Sequence, residues 1–296
     1  MPPMGSVDGA ATCSSMPIDG RGVGVWRFGL PGGWPLVWNH GGLSCGRDAA
    51  LIDMAGRRCG ADIIAIDRPG IGRSDPTSMP SIAQWPRTVE RVADRLCLDE
   101  FAVAGWSGGG PYALACAAAM PKRVRAVATI AGMAPLERIR HVFELGLWAD
   151  KLLIPTAHWA PWVASALLKF ARHAPDVVYS WQIARLAGSQ DRARLDPALA
   201  TLVRTCREAT GGVRGMVDEY RRYYRPWGFD LGAVRQSVII WHGDQDTLLP
   251  MRHARRLANR LPNSTVRVVA STGHLLPLVV ADEILHDLAG MRRGTS

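Results

Sequence analysis

At 296 residues, with 48% hydrophobic and 21% charged residues, the chain is too apolar and too mixed in charge to be disordered and long enough to bury a sizeable core. Its formal charge of +9 comes from 35 Lys+Arg against 26 Asp+Glu, but the arginines are spread along the chain, so neither nucleic-acid binding nor stable membrane insertion is expected. Apolar runs such as 112–120 fall well short of the roughly 20 residues a membrane span needs, and none of the six cysteines forms a CxxC pair, so no metal or redox site is expected.

In chain order, residues 1–20 are Gly-, Ser- and Pro-rich, lack the charged start and apolar run of a signal peptide, and read as a flexible tail on a cytoplasmic protein with reduced thiols. Short β-rich runs at 22–28, 35–39, 63–67, 101–106 and 124–130 then alternate with helical patterns at 47–58, 82–97 and 109–120. Most of the strand runs are continuously apolar, as parallel strands buried on both faces are. The alternation predicts an α/β fold, a mostly parallel central sheet flanked by helices.

The pattern breaks at 133–230, where helical stretches are punctuated by prolines and no strand is predicted. This stretch is rich in large apolar groups, among them Phe143, Leu147, Trp148, Leu152, Leu153, Trp159, Trp162, Leu167, Leu168, Phe170 and Trp181, and its stripe at 148–170 is expected mostly to pack as core, with a pocket roof or a patch meeting a membrane or another subunit as the alternatives. Strands resume at 238–241 and 265–269, followed by helical patterns at 251–261 and 277–289. The domain reading is a core at 21–132 and 231–296 with a helical insertion at 133–230. Within it, Cys97 and Cys116 read as small core residues, His242 as a packed residue, and His253 and His286 as helix-surface residues.

The strongest chemical signal is Gly105-Trp106-Ser107-Gly108-Gly109, between the run 101–106 and the helix 109–120. G-x-S-x-G in that setting is a nucleophile elbow. The turn is so sharp that residues two before and two after the serine nearly touch, and the glycines remove Cβ atoms that would clash. The strained turn holds Ser107 Oγ clear of the sheet, and the N–H of Gly108, at a helix start, is suited to a developing oxyanion. Serine at its free pKa needs a base held by an acid, and after an elbow the acid precedes the histidine in the chain. His274, just after the strand at 265–269, is the base candidate, and Asp244 and Asp246 in His242-Gly-Asp-Gln-Asp246 are both candidates for the acid. All three stand at the carboxyl ends of strands, where open α/β sheets place their sites.

Taken in order, His40-Gly41-Gly42, Asp67-Arg-Pro-Gly-Ile-Gly-Arg-Ser-Asp75, the elbow, His242–Pro250 and Gly273-His274 make the sequence resemble the α/β-hydrolase superfamily in its capped branch, over roughly residues 22–289. The resemblance implies that Ser107 is the nucleophile, His274 the general base and Asp246 the orienting acid, with backbone N–H groups of Gly42 and Gly108 as the oxyanion hole. It implies that 133–230 is a helical cap, that the loop 67–75 is structural, and that no cofactor is needed. His40, Trp106, Trp148 and Trp159 are candidate linings of a substrate pocket. A serine, where dehalogenases and most epoxide hydrolases of this type use aspartate, favours acyl chemistry on a carboxylic ester of a small to medium apolar substrate. The same residues serve carbon–carbon hydrolases, lactonases, amidases, lyases, perhydrolases and ligand-binding relatives with little turnover, so the bond stays open at this point. The expected partner is a small-molecule substrate, and cap helices of this kind leave room for a homodimer.

Overall fold

The computed structural model describes residues 12–294. The core is one eight-stranded sheet: β1 (Thr12–Ile18), β2 (Arg21–Gly29), β3 (Trp34–Asn39), β4 (Ala61–Ile66), β5 (Phe101–Trp106), β6 (Val124–Ile130), β7 (Val238–Gly243) and β8 (Ser264–Val269), in the order β1-β2-β4-β3-β5-β6-β7-β8. β1, β2 and β4 pair antiparallel, and from β4 through β3, β5, β6 and β7 to β8 every pairing is parallel. The predicted α/β class and mostly parallel sheet are therefore present. β4 and β5 are buried along their whole length, β5 with an unbroken apolar sequence and β4 with Asp62 as its one charged residue, paired with Arg27.

Residues 12–18, read from sequence as tail, instead form β1 at the edge of the sheet. The overlooked signal is Asp19-Gly20, whose φ of 47° and 77° make the two-residue hairpin turn that folds β1 back on β2. Residues 1–11 of the expected tail lie outside the described residues.

The flanking helices are α1 (Asp53–Cys59), α2 (Trp85–Arg95) and α3 (Gly110–Ala119). Between β6 and β7 come α4 (Ile139–Phe143), α5 (Trp148–Trp159), α6 (Pro161–Ala171), α7 (Asp176–Ala184), α8 (Ser189–Arg192), α9 (Leu195–Gly211) and α10 (Val213–Tyr224), with no strand among them. The chain closes with α11 (Arg252–Ala258) and α12 (Ala281–Gly294). The helical reading at 47–58 is half right, since a 3-10 turn occupies Gly46–Ile52 before α1 begins. No helix among the described residues is long and apolar enough to cross a membrane.

Three expectations about burial are corrected. Phe143, Trp148, Trp159, Trp162, Phe170 and Trp181 are more than half exposed, Phe170 reaching 83%. The inner faces of α5 and α6 are built from Ile154, Ala157, Ala164 and Leu168, which let the helices approach closely. Trp148 and Leu152, like Trp162 and Phe170, stand four or eight residues apart on the opposite stripe. Cys97 is exposed just beyond α2 at a positive φ, whereas Cys116 is buried. His253 is sealed under the chain leaving β6, where its Nδ1 accepts the Ala134 N–H at 3.1 Å. Burial, reinforced by Arg256, lowers its pKa to about 2, so it is packed as a neutral ring.

Candidate active site

The site lies at the carboxyl ends of β3, β5 and β7 and beyond β8. Ser107 follows β5 directly and has φ of 55°, the left-handed strain expected of an elbow. A Cβ on Gly105 would lie 2.7 Å from Gly110 N, so only glycine fits there. The Ser107 carbonyl accepts the Met133 N–H at 3.1 Å, fixing the turn against the end of β6.

Ser107 Oγ is 2.8 Å from His274 Nε2, and His274 Nδ1 is 2.8 Å from Asp246 Oδ2. Asp246 is buried, and its Oδ1 accepts the N–H groups of Leu248 and Leu249, both at 2.9 Å. With both carboxylate oxygens engaged, Asp246 can turn only one lone-pair face to the histidine. With the imidazole N–H donated from Nδ1 to Asp246, Nε2 is left as the acceptor facing the serine. Asp244, the rival acid, is exposed.

His274 is held from three further directions. Its N–H donates to Leu186 O at 2.9 Å, and its carbonyl accepts Trp106 Nε1–H at 3.0 Å. The buried carboxylate of Asp191, on α8, accepts the N–H of Gly273 at 3.2 Å and of Leu275 at 3.1 Å, one on each side of the histidine. Trp106 is thus a buried prop for His274.

The segment His40–Gly42 is fixed just as firmly. Gly41 N–H donates to the buried Asp48 at 2.9 Å, while Arg68 donates to the carbonyls of His40 and Gly41, each at 2.8 Å. Between those anchors the Gly42 N–H meets no protein acceptor among the described residues. A Cβ on Gly108 would come within 3.1 Å of Gly42 N, so the two glycines are close neighbours beside Ser107. The same Cβ would collide with the Tyr223 hydroxyl, which packs on both glycines.

Behind this loop lies a buried ionic cluster. Arg68 Nε is 2.8 Å from Glu219 Oε1, and Arg222 Nη2 is 2.8 Å from Glu219 Oε2. Tyr112 and Tyr223 hydroxyls donate to the same carboxylate at 2.8 and 2.6 Å. Burial works against the Glu219 charge, but Arg68 and Arg222 outweigh it and hold its pKa at about 2. Asp48 lacks such a cation at contact, and burial raises it to about 6 against its hydrogen bonds.

The pocket candidates fare differently from the catalytic ones. His40 has no surface to offer a ligand: it is fully buried, with Nδ1 at 2.9 Å from Gly41 O and Nε2 accepting the Arg68 N–H. Burial, followed by Arg68, lowers its pKa well below the usual value, so the ring is neutral. Trp148 and Trp159 present most of their surface to solvent, Trp159 edge-on against His158 and Tyr224. The inserted helices instead reach the site through Tyr223, Asp191 and Asp150. Asp150 stands in the first turn of α5, whose approach is fixed by Gly146 N–H donating to Leu248 O at 2.9 Å, beside Asp246. Burial raises the Asp150 pKa to about 6, against the opposing influence of Tyr220 and His274 nearby. Tyr220 in turn packs edge-on against Tyr223. No local motif marks Asp191 or Asp150, because each acts through a partner far away in the sequence.

Among the described residues no group of three or more His, Cys, Asp or Glu side chains is placed to hold a metal ion.

A serine, an imidazole and a buried carboxylate in line, on an elbow between strand and helix, are what the known relatives of this chain bear upon. It is 31% identical over 213 residues to the pimeloyl-[acyl-carrier protein] methyl ester esterase of Aromatoleum aromaticum, covering 70% of this chain and 77% of that protein. It is 24% identical over 264 residues to an uncharacterized hydrolase, YugF, of Bacillus subtilis, covering 88% and 90%. Among solved structures, the enol-lactonase from Burkholderia xenovorans superposes with a TM-score of 0.70 at 16% identity over 95% of this chain and 99% of that one. The family model described as the alpha/beta hydrolase fold matches residues 34–279, from β3 to just past His274, so that the chain belongs to the α/β-hydrolase fold family.

Proposed function

We propose that the protein is a serine hydrolase acting on a carboxylic ester. The observation that carries this reading is the unbroken line Ser107 Oγ–His274 Nε2, His274 Nδ1–Asp246 Oδ2, 2.8 Å at each step. In the first half-reaction, Ser107 Oγ attacks the ester carbonyl carbon as its proton passes to His274 Nε2. The carbonyl oxygen becomes an oxyanion that the Gly42 and Gly108 N–H groups receive. Collapse breaks the bond to the alcohol oxygen, which takes the proton from His274 and leaves an acyl-Ser107. Water then attacks the acyl carbon, giving its proton to His274; collapse returns the proton to Ser107 Oγ and releases the carboxylic acid. Asp246 keeps the imidazole in the tautomer this cycle needs and stabilises the imidazolium.

Residues 133–230 act as a cap in this reading, contributing Tyr223 and Asp150 above the elbow and closing a pocket for a small to medium, largely apolar acyl or alkyl group. The six unpaired thiols fit a cytoplasmic setting. The test is hydrolysis of p-nitrophenyl esters from acetyl to dodecanoyl by the wild type and by Ser107→Ala. Turnover that vanishes in the variant while its circular dichroism is unchanged is the expected result. Ester turnover retained by Ser107→Ala overturns the assignment.

A further inference from the structure

Away from Ser107, a cavity of about 380 Å³ lies between the chain that follows β4 and one face of α10. Its wall carries Arg214, Asp218 and Arg221, four and three residues apart on one stripe of α10, and Arg225 just past the end of that helix. Thr77 and Ser78 border it from the facing loop.

Positive charge is concentrated there. Other arginines of the chain find carboxylates, among them Arg47 with Glu208, Arg123 with Asp94, Arg256 with Glu144 and Arg267 with Asp287. Arg214, Arg221 and Arg225 make no ion pair among the described residues, although Asp218 stands within the same cavity. Arg221 Nε is shielded from solvent and has no hydrogen-bond partner. The nearby His158 ring feels the surplus, since after burial it is Arg225 and Arg221 that lower its pKa. Like charges gathered in a concave surface repel one another and focus a positive field. Arg222, which also borders the cavity, is paired with Glu219.

We propose that this cavity is a binding site for a phosphoryl group, carried by a phosphate ester or by a short polyphosphate. Planar guanidinium groups match the oxygens of a phosphoryl dianion in pairs, and neighbouring hydroxyls complete its shell. One phosphate would leave much of the cavity empty, so the ligand carries either a second phosphate or an organic group. The site is separated from Ser107 by the buried Arg68–Glu219–Arg222 cluster, and it stands whether or not the ester assignment holds.

The test is isothermal titration of the full chain with inorganic pyrophosphate and with adenosine diphosphate, at low and high salt. Each probe is titrated into the wild type, Arg221→Gln/Arg225→Gln, Arg214→Gln, and the control Arg87→Gln/Arg95→Gln on the exposed face of α2, which removes the same charge. The expected result is saturable 1:1 binding that weakens with salt, falls at least about tenfold in the Arg221/Arg225 pair, falls less in Arg214→Gln and persists in the control. Tighter binding of the nucleotide identifies a phosphate ester as the ligand, and tighter binding of pyrophosphate identifies the free anion. No saturable binding of either probe overturns the proposal, as does equal weakening in the Arg221/Arg225 and control variants.

Discussion

Arg68 and Glu219, 151 positions apart in the sequence, meet at 2.8 Å with 1% and 0% of their side chains exposed. Arg68 spends its other two nitrogens on the His40 and Gly41 carbonyls, so the ion pair holds the segment that presents the Gly42 N–H. Removing one partner of a buried pair strands the other charge, at about 3–5 kcal/mol. Glu219→Gln is therefore expected to lower the urea midpoint strongly at neutral pH. Because Glu219 is held at about 2, below its ordinary 4.5, its contribution is complete above that ordinary value and lost as pH falls toward 2. Urea titrations of both proteins at pH 7, 4 and 2.5 should find the gap narrowing with acidity.

The two acids of the β7 loop should separate cleanly. Asp246 is buried and bonded to His274, while Asp244 is exposed. Asp246→Asn can donate to the imidazole and favours the wrong tautomer, a change expected to cost about 10⁴-fold in kcat. Asp244→Asn is expected to stay within about twofold. Steady-state kinetics on the best ester of the series decide it, and equal losses would contradict the geometry.

Asp191 acts on His274 only through backbone, accepting N–H groups on either side of it. Asp191→Ala leaves those donors buried and unsatisfied, and lets the imidazole drift from Ser107. Misplacement by about 1 Å is worth roughly 10²-fold, so kcat should fall by about that factor with KM little changed. Stopped-flow acylation measured beside thermal unfolding tells misplacement from a merely less stable protein, since activity should stay low far below the melting temperature.

Asp150 predicts a pH signature. Its folded pKa, raised to about 6 by burial, exceeds the ordinary carboxylate value of 3.8. Its neutral form is the better tolerated one, so stability tied to this group is full below 3.8 and lost as pH rises through about 6. Asp150→Asn stays neutral throughout. The melting temperature of the variant minus that of the wild type should therefore climb between pH 4 and 7, and a flat difference would refute the burial argument.

Legibility from sequence followed the range of the interactions. Ser107 and its glycines are intelligible within five residues because the elbow is a local steric problem, and β5 and β6 match their sequence bounds residue for residue, β5 because a strand buried on both faces is continuously apolar and β6 because its run is β-rich apart from Arg125. β1 was hidden because an edge strand with one wet face needs no apolar run; only Asp19-Gly20 betrayed it. Asp191 and Asp150 stayed illegible for a different reason. Each looks like an ordinary helix-surface residue until the 98-residue stretch 133–230 folds back over the sheet. The exposed tryptophans of α5–α7 mark the same boundary: periodicity assigns them to a stripe but does not say which stripe faces inward.

The grip of α8 on the His274 loop bears on how such proteins diversify. Asp191 belongs to the inserted helices, and its two hydrogen bonds end on the backbone of the core. A crossover that kept the sheet of this chain but imported a segment in place of residues 133–230 without an acid at the Asp191 position would carry an intact Ser107, His274 and Asp246 and still lack the acceptor that seats the imidazole. The two regions are thus bound to change together, and shuffled libraries built from them should yield active progeny mainly where an acid at the Asp191 position is inherited with the graft.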